Sequence, residues 1–452
     1  MARPERLRRV PYPTENADND RIIAMTEDRA ADAGGSAGAP TPRSDRPGRA
    51  AERHVVVVGG GIVGLATAWA LLNTSPGLRV TILEKERAVG LHQSGRNSGV
   101  LHAGLSYAPG SAKALLARRG VQMMMSFCDA HGVAYELCGK LVVATHPDEL
   151  ARLDALFERG TANGLQGLRR LSPGAAREIE PNVACIAGLH VPEEGIVDYG
   201  AVCRALAAAC QARGGALHTS ERVQSVGRRP GGGWTIQTDR RDLQASFLVN
   251  CAGLQVDRVM AMTGEPPPCR IVPFRGEYQR LSPRRERLVR HLIYPVPDPA
   301  FPFLGVHFTR RITGGMSVGP NAILALAREG YQRSDLDLGD AADALGYPGL
   351  WCFLAQHGQM SVRELAQSLS RRRYVAALQR LVPSITGADL IPGGSGVRAQ
   401  AMLPSGQLVL DFLLVERPHA LHALNVPSPA ATASLAIGQE IARRVGAQLA
   451  RA

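Results

Sequence analysis

The stretch that most limits what this chain can become is HVVVVGGGIVGLATAWALL, residues 54–72, followed by RVTILEKE at 79–86. An unbroken valine run reads as a strand buried on both faces, the glycines as a turn, and the residues after them as a helix. A second buried strand comes next. Such a strand–helix–strand unit requires a parallel sheet with helices laid against it. The glycines fall as G-x-G-x-x-G. Gly59 permits the tight turn, Gly61 lets backbone approach a pyrophosphate, and Gly64 lets helix and strand lie close together. The helix start then offers N–H groups and a positive partial charge to phosphates. Glu84 stands at the end of the second strand, where an acid accepts hydrogen bonds from a ribose. Ile62, Val63 and Lys85 flank these positions and join them in the expected cofactor-binding set. The reading is a dinucleotide site. The motif by itself serves FAD and NAD alike.

The chain beyond the second strand separates the two. A nicotinamide domain continues with regular βα repeats. Here the chain lays down HQSGRNSGVLHAGLSY, residues 92–107, too polar and glycine-rich for a core strand. Later it returns with FLVNCAGLQVD, SGVRAQ and NVPSPAATAS, as a long three-ring cofactor would need. Helical patterns alternate with strands as far as about residue 265, and EPPPCR (265–270) reads as a linker. Short alternating strands come next (VPFRGEYQRL, HLIYPVP, FLGVHFTR, MSVGP), suited to a mixed or antiparallel sheet. The stretch 321–381 reads as mostly helical. The expected fold is an α/β chain in which a Rossmann-like FAD-binding domain (54–140, 198–265 and 395–452) interleaves with an α+β substrate domain on a mixed antiparallel sheet (141–197 and 266–394). Residues 1–53, rich in Arg, Asp, Glu, Pro and Gly without apolar periodicity, read as a disordered tail.

Composition narrows the function classes. The 452 residues suggest two or three domains, and 45% hydrophobic content supplies a sizeable core. Eight scattered cysteines contain no CxxC pair, so neither zinc nor a disulfide framework is expected. The formal charge of +12 attracts small anions or an anionic membrane surface. Nucleic acid is not expected, because aromatics are only 5% and the arginines are dispersed. No apolar stretch approaches the ~20 residues that cross a bilayer. A cytoplasmic location is expected, with peripheral contact at the inner face of the cell membrane left open.

The chain resembles the FAD-dependent D-amino-acid-oxidase-like superfamily, and within it most closely the L-2-hydroxyglutarate oxidases and dehydrogenases. The likeness runs from His54 nearly to the end. It is carried by VVGGGIVGLATA, LEKE, HQSGRNSGVLHAGLSYAPGSAKA, CGKLVVAT, VPEEGIVDY, PFRGEYQRL, HLIYPVPDPAFPFLGVHFTR, VGPNAILALAREGY, GVRAQA and NVPSPAATAS. The resemblance implies that the loop after the second strand wraps FAD through Gln93, Ser94, Gly95, Asn97, Ser98 and Gly99. It further implies adenine contact through the backbone of Val223, and cofactor contact at Ala252 and Gly253. Ser428, Ala430, Ala431 and Thr432 open a last helix directed at the flavin, and Arg398 stands beside both cofactor and substrate.

The implied reaction is oxidation of L-2-hydroxyglutarate to 2-oxoglutarate, with hydride passing from C2 to flavin N5 and electrons going on to oxygen or a quinone. Arg398 would hold one carboxylate, since a guanidinium forks onto it by two bonds. Arg275, Tyr278 and Arg310 are candidates for the second anion site. His102, or otherwise His307, would take the hydroxyl proton. Two other readings stand beside this one: a flavin oxidoreductase of the same fold acting on an amino acid or glycerol 3-phosphate, and a non-catalytic flavin-binding scaffold.

Overall fold

A computed structural model describes residues 53–298, 305–358 and 370–451. The expected tail lies, Arg53 apart, outside the described residues.

The valine run forms a strand, His54–Val58, buried at every position. Parallel pairing joins it to Arg79–Leu83 on one side and Phe247–Asn250 on the other. Ala216–His218 and Ala420–Asn425 extend this parallel sheet outward, and Leu413–Arg417 closes one edge antiparallel, giving six strands. The helix Ile62–Thr74 lies on the sheet with Leu65, Ala66, Ala68 and Leu71 buried. Against it pack the helix Tyr199–Ala212 and the last helix, Ala430–Arg451, which also covers the helix Ala112–His131. Their apolar faces make one core with the sheet. A three-stranded antiparallel sheet (Val223–Arg228, Trp234–Thr238, Asp242–Ala245) packs its Trp234 and Ile236 against the other face, beside Val56 and Leu248.

A second sheet has nine strands. Arg270–Leu281 is its axis: along one edge it pairs with Ile323–Leu324 and Met316–Gly319, and along the other with Leu390–Met402. The series continues through His307–Arg310, Leu292–Pro295, Lys140–Ala144, Ala187–Val191 and Arg169–Leu171. One pair, Leu292–Pro295 with Lys140–Ala144, is parallel and the others antiparallel, so the sheet is mixed, as expected. Phe308, Val318, Leu141 and Leu378 centre a separate core beneath it.

One expectation needs correction. The junction placed between 394 and 395 falls inside one continuous strand, Leu390–Met402, whose pairing with Arg270–Leu281 runs from end to end. Proline and three glycines in LIPGGSG disguised the first half of that strand. In the stretch 321–381, expected to be mostly helical, the described residues up to 337 are not helical and those after them largely are. The described helices are Leu338–Leu345, Pro348–Gln356 and Arg371–Gln379, preceded by chain that is irregular apart from the strand Ile323–Leu324. That chain is anchored by Arg328, 1% exposed, whose guanidinium donates to Asp257 Oδ2 (2.9 Å), Asp343 Oδ2 (2.7 Å) and the Leu254 carbonyl (2.7 Å). A buried charge fully met by partners replaces the regular ladder there. All eight cysteines are free thiols.

Candidate active site

Between the carboxyl ends of the parallel strands and the nine-stranded sheet runs a cavity of about 1040 Å³, lined by both. That volume lies at the upper end of what small-molecule and cofactor sites occupy. One end is built by the glycine turn. Gly59 has φ +109°, and a Cβ there would stand 2.4 Å from the Cys251 carbonyl oxygen, so no other residue fits. Gly64 is off the cavity wall; a Cβ on it would meet the Gly59 carbonyl oxygen at 2.0 Å, the tight helix-to-turn packing expected of the third glycine. Gly61, Ile62 and Val63 line the cavity where the helix starts, and Gly61 has no side-chain cap. Ser94 reaches in and its Oγ accepts from Ile62 N–H at 2.9 Å, taking one of the amides that phosphates were expected to use.

Glu84 is buried on the wall. Its two carboxylate oxygens accept from Gly60 N–H and Glu86 N–H, both at 2.8 Å, which fixes the acid at the strand end. Lys85 also lines the cavity, its ammonium 2.8 Å from Glu329 and 2.9 Å from His92 Nε2. Glu86, His92 and Glu329 offer ligand atoms within 4.8 Å of one another, but the Lys85 ammonium occupies the space between them.

Gln93, Ser94, Asn97 and Ser98 line the cavity, while Gly95 and Gly99 of the same loop lie off its wall. Asn97 holds the loop's own shape: its Nδ2 donates to the Gln93 and Ser94 carbonyls and its Oδ1 accepts from Gly99 N–H. Gln93 Oε1 is buried, with no hydrogen-bond partner among the described residues, an acceptor left for something the cavity holds. Val223, Ala252 and Gly253 are on the wall, as are Ser428, Ala430 and Ala431 at the start of the last helix. Thr432 joins them, and its Oγ1 accepts from His102 N–H at 3.1 Å and lies 2.6 Å from the Tyr199 hydroxyl. A glycine-lined turn at an uncapped helix start, a fixed acid at the next strand end and an unmet buried acceptor suit a dinucleotide with a pyrophosphate.

The cavity also carries reactive groups. His102, His307, Tyr278 and Arg398 all line it, with Arg398 and His102 close enough to act electrostatically on His307, and Arg398 on Tyr278. Arg398 lies opposite Phe274 in the register of the two long strands. Strand alternation brings Gly276 and Tyr278 to the cavity and turns their neighbours away. Arg275 therefore points elsewhere, donating to the Gln332 carbonyl (2.6 Å) and approaching Glu277 at 3.3 Å. Arg310 forms a 2.6 Å ion pair with Glu136. Neither lines the cavity, so both are withdrawn as direct substrate contacts.

His307 is buried, and burial pushes its imidazole down to about 4, so it is neutral near neutral pH. Its Nδ1–H donates to the Gly305 carbonyl at 2.8 Å, and its ring lies 4.2 Å from that of Tyr294.

Sequence reasoning missed Lys140, Glu194, Tyr107 and Tyr294, all on the same wall. Lys140 Nζ pairs with Glu194 Oε1 at 2.8 Å, with the two side chains 5% and 1% exposed. His102 Nδ1 lies 3.3 Å from Glu194 Oε2. Burial acts to raise the Glu194 carboxyl, but Lys140 and His102 together outweigh it and hold it at about 2. Burial pushes the phenols of Tyr107, Tyr278 and Tyr294 up, leaving neutral hydroxyls. One signal for Lys140 was present in the sequence. The chain has three lysines, Lys85, Lys113 and Lys140, and all three line this cavity.

Residues 54–444 match the family described as FAD dependent oxidoreductase, and the chain belongs to that family. It is an FAD-dependent flavoprotein enzyme of the D-amino-acid-oxidase type. Among its relatives is the L-2-hydroxyglutarate dehydrogenase of Salmonella houtenae, 45% identical over 392 residues, covering 87% of this chain and 93% of the relative. The mitochondrial L-2-hydroxyglutarate dehydrogenase of Caenorhabditis elegans is 42% identical over 416 residues, covering 90% and 95%. Among solved structures, the FAD-bound L-alpha-glycerophosphate oxidase of Mycoplasma pneumoniae superposes with TM-score 0.71 at 23% identity, covering 87% of this chain and 94% of that one. That likeness speaks for the fold.

Proposed function

We propose that the enzyme oxidises L-2-hydroxyglutarate to 2-oxoglutarate in this cavity. The observation that carries the reading is the gathering of Arg398, Tyr278, His102 and His307 on the wall of a dinucleotide-sized cavity, in a chain whose relatives at 42–45% identity are named for that substrate. Bound FAD supplies the acceptor for two electrons and a hydrogen. The glycine turn, Glu84 and the loop 93–98 hold it, chiefly on the six-stranded sheet, while the nine-stranded sheet and its connections form the substrate side.

Arg398 grips one carboxylate by its planar fork. With Arg275 and Arg310 turned away, the second carboxylate meets the neutral Tyr278 and Tyr294 hydroxyls. His102 takes the hydroxyl proton as the C2 hydrogen leaves with its electron pair. His307 is a poorer base, since an imidazole held near 4 has little affinity for a proton at neutral pH. The start of the last helix presents backbone N–H groups to the cavity, and its positive end stabilises negative charge arising there.

Anaerobic mixing with L-2-hydroxyglutarate is the test. The flavin absorbance is expected to bleach with this substrate and to persist with the D isomer, glycerol 3-phosphate or amino acids. Bleaching by one of those others alone would overturn the assignment. Exposure of the reduced enzyme to air and to a quinone analogue then identifies the acceptor. Among the described residues no helix is long and apolar enough to cross a membrane.

A further inference from the structure

Three chain segments that are distant in sequence converge behind His102. Lys140 opens a strand of the nine-stranded sheet. Glu194 sits in the turn between Ala187–Val191 and Gly195–Val197. His102 comes directly after the short strand Val100–Leu101. The turn is tied down twice: its Glu194 carbonyl accepts from Gly139 N–H at 2.9 Å, and Glu194 Oε1 accepts from Ala103 N–H at 3.4 Å. The backbone on either side of His102 is thus fixed, by Thr432 at its own amide and by Glu194 at the next.

A buried ion pair is a poor device for stability. Taking both charges out of water costs about as much as their attraction returns, and apolar replacements of such pairs are often neutral or stabilising. The pair here sits on the cavity wall, and the carboxylate oxygen not used by Lys140 faces an imidazole nitrogen. We propose that the Lys140–Glu194 pair positions His102: Glu194 accepts from Nδ1–H, fixing the tautomer that presents a bare Nε2 to the substrate hydroxyl, and Lys140 holds Glu194 in place.

The step then balances. The substrate O–H bond breaks and its proton binds Nε2, the C2 hydrogen leaves with its electron pair to the bound flavin, and the C2–O bond becomes a carbonyl. The positively charged imidazole so formed lies against a carboxylate that was negative beforehand, so no group has to move to stabilise it. Lys140 has a second effect. By keeping Glu194 ionised it prevents the carboxylate from taking the proton itself, as an unpaired buried acid would. Its ammonium also lies 5.0 Å from the Tyr294 ring centroid, on the neighbouring strand of the same sheet.

This inference rests on His102 being the base, so the experiment separates the two. In Glu194→Gln, with flavin loaded, the rate of flavin reduction at saturating L-2-hydroxyglutarate is expected to fall about 100- to 1000-fold. The half-saturating concentration should change less than about threefold, and Glu194→Asp should restore part of the rate. A readout independent of turnover is the ¹⁵N spectrum of histidine-labelled protein, with the His102 signals identified by their loss in His102→Asn. One Nδ1–H tautomer is expected in the parent and a mixture in Glu194→Gln. If Glu194→Gln does not fold, Lys140→Met/Glu194→Gln removes both charges together and is expected to fold, reduce slowly and show the same mixture. A slow His102→Asn beside a Glu194→Gln of parental rate and single tautomer would overturn the positioning role alone. A His102→Asn of parental rate would overturn the base assignment beneath it.

Discussion

At the scale of single residues, the substrate side separates binding from proton transfer. In the proposed reaction Arg398 is the binding group, and losing a charge-assisted bidentate contact removes about 1.5–3 kcal/mol. Arg398→Leu is therefore expected to raise the half-saturating concentration for flavin reduction about 10- to 100-fold, with the limiting rate less affected; titration of reduction rate against substrate measures both. His102→Asn should do the reverse, lowering the limiting rate about 100-fold or more while binding persists. His307→Asn should cost less, because a ring already neutral and tied to the Gly305 carbonyl gives up only a hydrogen bond. Stopped-flow comparison of the two histidine variants ranks them, and an equal loss in both would contradict this division.

At the scale of elements, helix packing decides whether the cofactor end can form. The last helix crosses the first so closely that a Cβ on Gly438 would stand 2.6 Å from the backbone of Ala66. Gly438→Val must push two backbones apart, where even yielding sites cost about 1–3 kcal/mol. The expected outcome is a lower melting temperature together with reduced flavin occupancy, since both helix starts line the cavity; the visible absorbance per mole of protein reads the second. Most of this architecture was legible. HVVVVGGGIVG and RVTIL announced themselves through buried-strand composition and glycine spacing, which are local properties. Leu390–Met402 did not, because its first half carries proline and glycines and is a strand only through pairing with Arg270–Leu281. The same limit hid the Lys140–Glu194 pair: the two lie far apart in sequence, and nothing in either segment's periodicity says that they meet. Arg275 and Tyr278 were indistinguishable in FRGEY until the pleat assigned one to each face.

At the scale of the whole molecule, acid should loosen the fold before it affects the buried carboxylate of the site. His307 and His422 are both buried, and burial pushes each down to about 4, against an ordinary value near 6.5. Between those values the unfolded chain binds more protons than the folded one, so stability is full above about pH 6.5 and is lost as pH falls toward 4. Each histidine accounts for on the order of 3 kcal/mol across that interval. Glu194, held at about 2 against an ordinary 4.5, keeps its full contribution above about pH 4.5 and loses it as pH falls from there toward 2. Melting temperatures of the holoenzyme at pH 7, 6 and 5 should fall in order. His422→Gln keeps an acceptor for the Asn250 amide, which His422 Nδ1 now meets at 3.1 Å, and should flatten the fall.

The long ribbon of Arg270–Leu281 and Leu390–Met402 carries one irregularity: Tyr278 faces Gly394 while the next residue, Gln279, faces Pro392. One arm thus holds a surplus residue there, and everything downstream inherits the offset, down to the row in which Phe274 faces Arg398. Trimming that surplus would leave Phe274 facing Arg398 and only make the ladder regular. A residue added to the same arm and drawn into the ladder would instead slide the guanidinium by one step onto the other face. The ribbon thus holds one residue in reserve, able to absorb a loss but not a gain in length without moving the enzyme's positive charge.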